Sequence, residues 1–104
     1  SEGRIKLPLS DILFVTTDKA NWRDKRVYLI SGEQYTLRRC TNEQLLKMAP
    51  KLVQVNKAEL ISLDAVKGFK YNFVVLKQIT EDGSPVKVTL NRNFRSDFMM
   101  RMHN

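Results

Sequence analysis

The sequence predicts a mainly β domain, and three observations carry that expectation. Short apolar runs rich in β-branched and aromatic residues recur along the chain, Ile12 to Thr17 being the plainest. Val86-Lys87-Val88-Thr89-Leu90 alternates strictly, which places Val86, Val88 and Leu90 on one face and Lys87 and Thr89 on the other. Helical signals are confined to two short segments, one after Thr41 and one at the C-terminus. With 104 residues the chain is one domain, sufficient for one hydrophobic core. A hydrophobic content of 42% with only 4 Gly and 3 Pro argues against disorder.

Taken in order, Arg4-Ile5-Lys6-Leu7-Pro8 alternates and stops at proline, so it predicts a short strand leading into a turn at Leu9-Ser10. Ile12 to Thr17 is too continuous for a half-exposed strand and short enough for a buried one. The polar, charged run from Asp18 to Arg26 lacks periodicity and is expected to be a loop joining two strands. Val27 to Ile30, the turn Ser31-Gly32-Glu33, and Gln34 to Arg39 form a hairpin, because glycine supplies the backbone freedom of so short a reversal.

Thr41-Asn42-Glu43-Gln44 fits a capping box, in which the threonine hydroxyl accepts from the Gln44 amide and the Gln44 side chain reaches back. A short helix follows, with Leu45, Leu46 and Met48 on its apolar side, and Pro50 ends it. Leu52 to Val55, Glu59 to Leu63 and Tyr71 to Thr80 are expected strands, with Asp82-Gly83 reversing the chain before Val86 to Leu90. Phe94, Phe98 and Met102 recur at four-residue steps, so a short terminal helix would lay them on the sheets.

The net charge of +7 and a pI near 9.8 point to a polyanionic partner; charge alone does not separate nucleic acid from anionic membrane or from simple solubility. Cys40 is the only cysteine, which excludes an internal disulfide and a cysteine-rich metal site and fits a reducing, cytoplasmic compartment. It is expected to be a small buried apolar residue. No apolar run approaches the roughly 18 residues that span a bilayer. Ser1-Glu2-Gly3-Arg4 lacks the features of a signal peptide. Because the chain opens on Ser1 and not methionine, it is expected to be an excised domain or processed piece of a longer protein.

Catalytic constellations are absent from the sequence. His103 is the single histidine and lies one residue from the end, so neither a histidine-based triad nor a multi-histidine metal site assembles within one chain. The carboxylates are scattered and no glycine loop cradles phosphate. The expectation is a protein that is not an enzyme, with no cofactor, no metal and no small-molecule substrate.

The segment Val53-Gln54-Val55-Asn56-Lys57-Ala58-Glu59-Leu60-Ile61-Ser62-Leu63-Asp64-Ala65-Val66, followed by Leu90-Asn91-Arg92-Asn93-Phe94, resembles the LytTR-type DNA-binding domain of bacterial transcription regulators. Asp11-Ile12-Leu13-Phe14-Val15 is similar to that family's opening strand, so the resemblance covers residues 1-104 as one domain. It implies short antiparallel strands in small packed sheets with one short helix, without a helix-turn-helix. It also implies recognition of double-stranded DNA by loops entering successive major grooves, as the output domain of a response regulator in a two-component system. Two copies commonly share a repeated site, and regulation would come from an N-terminal receiver domain or membrane segment.

The basic residues fall where this reading needs them. Lys19, Arg23, Lys25 and Arg26 cluster in the expected loop, Lys57 lies between two strands beside Asn56, and Arg92 follows another strand beside Asn91. Lysine and arginine attract phosphates, and arginine can also pair with guanine through two parallel hydrogen bonds. For any one of them taken alone, a solvated charged surface explains the residue as well. Lys57 and Arg92 stand apart because the resemblance places them at positions that contact DNA. Trp22 has two readings, stacking over DNA sugar or backbone groups or pinning its loop to the body of the domain, and the second is the expectation here because a wet indole is costly. The competing reading is a basic β module binding protein or single-stranded nucleic acid, which would need an exposed aromatic or apolar patch.

Overall fold

The structure, a computed structural model, describes residues 7–80 and 82–103, without the side chains of 78 and 79. In chain order the elements are β1 (Ile12–Thr17), β2 (Lys25–Leu29), β3 (Gln34–Leu37), α1 (Asn42–Met48), β4 (Leu52–Asn56), β5 (Glu59–Ser62), β6 (Val66–Phe69), β7 (Phe73–Ile79), β8 (Pro85–Thr89) and α2 (Arg92–Met102). The first five strands form one antiparallel sheet in the order β3-β2-β1-β5-β4, and the last three form a second in the order β6-β7-β8. The mainly β expectation holds, as do both helices.

The continuous apolar run of β1 is explained by cores on both faces of the large sheet. Ile12 and Val15 pack with Val27, Leu29, Leu60, Leu45 and Ala49 beneath α1. Phe14 packs on the other side with Val53, Val55 and Ile61 against the second sheet and Phe98 of α2. The three layers are therefore α1, the five-stranded sheet, and the three-stranded sheet with α2.

Local chemistry sets the boundaries. At the β2–β3 turn Gly32 has φ +92°, which a residue with a β-carbon rarely adopts, and its N–H donates to the Leu29 carbonyl at 2.9 Å. The capping box of α1 forms as expected: Gln44 N–H donates to Thr41 Oγ1 at 3.1 Å, and Thr41 N–H to Gln44 Oε1 at 2.9 Å. The expected apolar side of that helix is narrower than the sequence suggested. Leu45 and Ala49, one turn apart, are buried, while Met48 is 49% exposed, since so short a helix turns only one stripe to the sheet.

In α2, Phe98 is buried and meets Phe69 edge-on at 5.3 Å, Met102 packs at the core margin and Phe94 is half-buried. Its far end is tied down by Arg101, whose Nη1 donates to the Leu52 carbonyl at 2.8 Å and whose Nη2 donates to that of Pro50.

Three expectations need correction, and one strand had no expectation attached to it. The loop after β1 is shorter than Asp18 to Arg26, because Lys25 and Arg26 pair with β1 and β3 and belong to β2. The strand expected from Tyr71 begins at Phe73, Tyr71 and Asn72 forming a bend. β6 was not anticipated, its four residues including a lysine and a glycine that mask any strand pattern. Cys40 is only half-buried. Of the expected strand from Arg4 to Leu7, residues 4–6 lie outside the described residues, and the turn after it is a 3-10 turn over Leu9–Asp11.

Candidate functional site

Strand register brings five connections to one end of the molecule. β1 finishes with Thr17 opposite Lys25, and Thr16 lies opposite Glu59. Lys25 also faces Leu37, the last residue of β3, while Asn56 and Glu59 close the β4–β5 turn. In the second sheet Phe73 opposes Thr89, so the β6–β7 turn lies beside the exit of β8. Two hydrogen bonds join the sheets here: Asn56 Nδ2 donates to the Thr89 carbonyl at 2.9 Å, and Asn91 N–H to the Val55 carbonyl at 2.8 Å.

All eight residues singled out from the sequence fall at this end, in different roles. Lys19, Arg23, Lys57 and Arg92 are exposed, and Arg26 is half-buried on β2. Lys25 is only 8% exposed, its Nζ 3.4 Å from Thr17 Oγ1, because alternation along β2 turns it to the side covered by α1. Asn56 is a brace: besides Thr89, its Nδ2 donates to Glu59 Oε1 at 3.0 Å, and its Oδ1 accepts the Ala58 N–H at 2.9 Å. Asn91 caps α2 by accepting the Asn93 N–H at 3.1 Å, which leaves Arg92 as the first helical residue. With no acidic residue in that first turn, the positive end of the helix dipole adds to the charge of this end.

The carboxylates nearby are turned to structural use. Asp18 Oδ1 accepts the Ala20 N–H at 3.0 Å, and the buried Asp24 accepts the Arg39 N–H at 3.2 Å. Cys40 lies next to this turn, and burial pushes its thiol pKa up, partly opposed by the Lys25 ammonium. At the opposite end of the β7–β8 hairpin, Asp82 is held down at about 2, first by the Thr80 hydroxyl and then by the Ser84 amide.

The architecture is shared with a known domain. The chain superposes on a Bacillus cereus chain described as the LytTR DNA-binding domain of a response regulator with a TM-score of 0.62, covering 92% of this chain and 84% of that one at 12% identity. The chain has the LytTR fold. No family model matches the sequence, and no curated protein matches it, so the likeness lies in the backbone arrangement.

On this LytTR fold the gathered end also carries residues that sequence reasoning passed over. Arg38 and Arg39 follow β3, Arg39 with φ 51°, a backbone conformation uncommon outside glycine. In the sequence the adjacent arginines continue the expected strand to Arg39, whereas β3 ends at Leu37, and the buried Asp24 that holds the Arg39 backbone is remote in spacing. Lys70 and Tyr71 lie in the β6–β7 turn. Arg95 stands one helical turn after Arg92, and its Nε donates to the Tyr71 carbonyl at 2.8 Å. Trp22 does not pin its loop. It is 73% exposed, with the Arg23 guanidinium 5.2 Å from its ring centre. The aspartates and asparagine of the loop hold its backbone by themselves, so the ring is not needed for that purpose.

Proposed function

We propose that this domain binds double-stranded DNA sequence-specifically as the output domain of a bacterial, cytoplasmic transcription regulator. The observation that carries the reading is the convergence of Lys19, Arg23, Arg38, Arg39, Lys57 and Lys70 on connections, with Arg92 and Arg95 at the start of α2, at one end of a LytTR fold. Lysine and arginine on loops held by sheets present fixed positive charge to phosphates, and groove-entering loops then reach base edges. Lys57 and Arg92 are the residues assigned to DNA contact, Lys57 to phosphate and Arg92 to a base edge in the groove. Asn56 and Asn91 fix the turns that hold them, and Lys25 supports the loop from beneath. The protein acts without catalysis; two copies share a repeated site, and a receiver domain or membrane segment supplies the signal.

A second reading, binding of a single strand or of protein, is favoured by the exposure of Trp22 and Tyr71. These rings belong to separate connections in different sheets, whereas a stacking platform places successive aromatics side by side. In-vitro selection from a random duplex library is the test. The reading requires a shared motif bound far more tightly than bulk duplex; enrichment of no motif contradicts it.

A further inference from the structure

The two most exposed aromatics described, Trp22 at 73% and Tyr71 at 76%, stand at the basic end, and each has an arginine on its ring. The Arg23 guanidinium lies 5.2 Å from the Trp22 ring centre and the Arg95 guanidinium 3.7 Å from that of Tyr71. Neither is on a slack loop. Asn21 Oδ1 accepts the Arg23 N–H at 3.1 Å, Asp24 N–H donates to the Asn21 carbonyl at 2.9 Å, and Asp18 N–H to that of Asp24 at 3.0 Å. Arg95 ties the Tyr71 carbonyl to α2. Such rings forgo the burial that large aromatics ordinarily gain, in positions that the backbone holds fixed.

We infer that Trp22–Arg23 and Tyr71–Arg95 are two matching grips on the sugar–phosphate backbone of duplex DNA, placed on either side of Lys57 and Arg92. The inference rests on the DNA-binding reading above and adds where the duplex is held. Connectivity sets the order across the end: the Trp22 loop joins β1 and β2, and the Lys57 turn joins β4 and β5. Asn91 bonds to Val55 of β4, and Leu90 N–H donates to the Asn72 carbonyl at 2.9 Å beside Tyr71. A nucleotide repeats an apolar sugar next to an anionic phosphate, and a ring with a guanidinium on it presents the complementary pair. Because one face of each ring already carries its arginine, only the other face is free. That suits one-sided packing on deoxyribose better than a sandwich between two bases.

Trp22 is the single tryptophan of the chain, so its emission reports the contact directly. The intact chain is titrated with a fluorescently labelled selected duplex, following label anisotropy and tryptophan emission together. Both signals are expected to change with one midpoint. Trp22→Ala and Tyr71→Ala should each weaken duplex binding about tenfold, given the scale of aromatic contacts to nucleic acid, with the salt slope and the melting temperature unchanged. Arg95→Gln should lower the salt slope by about one phosphate contact. A rise in anisotropy with unmoved tryptophan emission, or alanine variants that bind like the parent, overturns the inference and leaves the DNA-binding reading standing. Loss of the same affinity on single strands bound more tightly than duplex assigns the rings to bases and also overturns it. No anisotropy change with any duplex overturns both.

Discussion

Asn56 Nδ2 donates to the Thr89 carbonyl at 2.9 Å, so one side chain at the end of β4 holds the exit of β8 and fixes the start of α2. The same amide closes its own turn through Glu59 and Ala58. Asn56→Ala should therefore destabilise the domain by about 1–3 kcal/mol, the cost of leaving such partners unpaired. Asn56→Asp should be worse, since it removes both donations and sets a carboxylate against Glu59. Urea melts of the two variants check the order.

Lys25 belongs to the scaffold, while Arg23 belongs to the surface. Lys25→Ala should lower stability by about 1 kcal/mol, because its buried stem packs beside Cys40 and Thr17. Arg23→Ala should change stability by less than about 0.5 kcal/mol while weakening DNA binding. Thermal denaturation read beside binding separates the two; equal stability losses would mean that Arg23 too is structural.

Arg92 and Lys57 should divide the work of recognition. Arg92 is fixed at the first turn of α2, behind the capping residue Asn91, so its planar guanidinium can discriminate a guanine by roughly 1–3 kcal/mol. Lys57 is a flexible point charge suited to phosphate. Arg92→Ala is expected to flatten preference at one base pair of the selected site, and Lys57→Ala to weaken all sequences evenly and lower the salt slope by about one. Binding to the selected site and its single-base-pair changes, across a salt series, distinguishes these roles from the reverse.

The β7–β8 hairpin should loosen in acid. Asp82 titrates at about 2 against an ordinary 3.8, because its charged form accepts from Thr80 and Ser84. A carboxylate lowered on folding supports the fold fully above its unfolded value and loses that support as pH falls through its folded one. Protection of the Ser84 amide against exchange, measured relative to an unstructured peptide at the same pH, should therefore be full above pH about 4 and fall toward pH about 2. Asp82→Asn should remove that pH dependence.

Much of this fold was legible in the sequence. The Ile12 to Thr17 run, the Thr41–Gln44 box, the Asp82-Gly83 reversal and the Phe98 and Met102 spacing each encode their structure locally. What spacing did not reveal depends on distant partners. β6 forms because β7 offers it an edge, and Lys25 is buried because α1 covers that side of β2. The site was legible as basic positions between strands. Arg39 joins it only through the remote carboxylate of Asp24, and Tyr71 with Arg95 only through α2 returning beside the β6–β7 turn.

Competition between a selected duplex and its separated strands, repeated across a salt series, shows whether the basic end grips duplex DNA. The duplex should be preferred, and log affinity should fall linearly with log salt, with a slope of about 0.9 per neutralised phosphate. Equal or tighter binding of the single strand, or an affinity indifferent to salt, would contradict it.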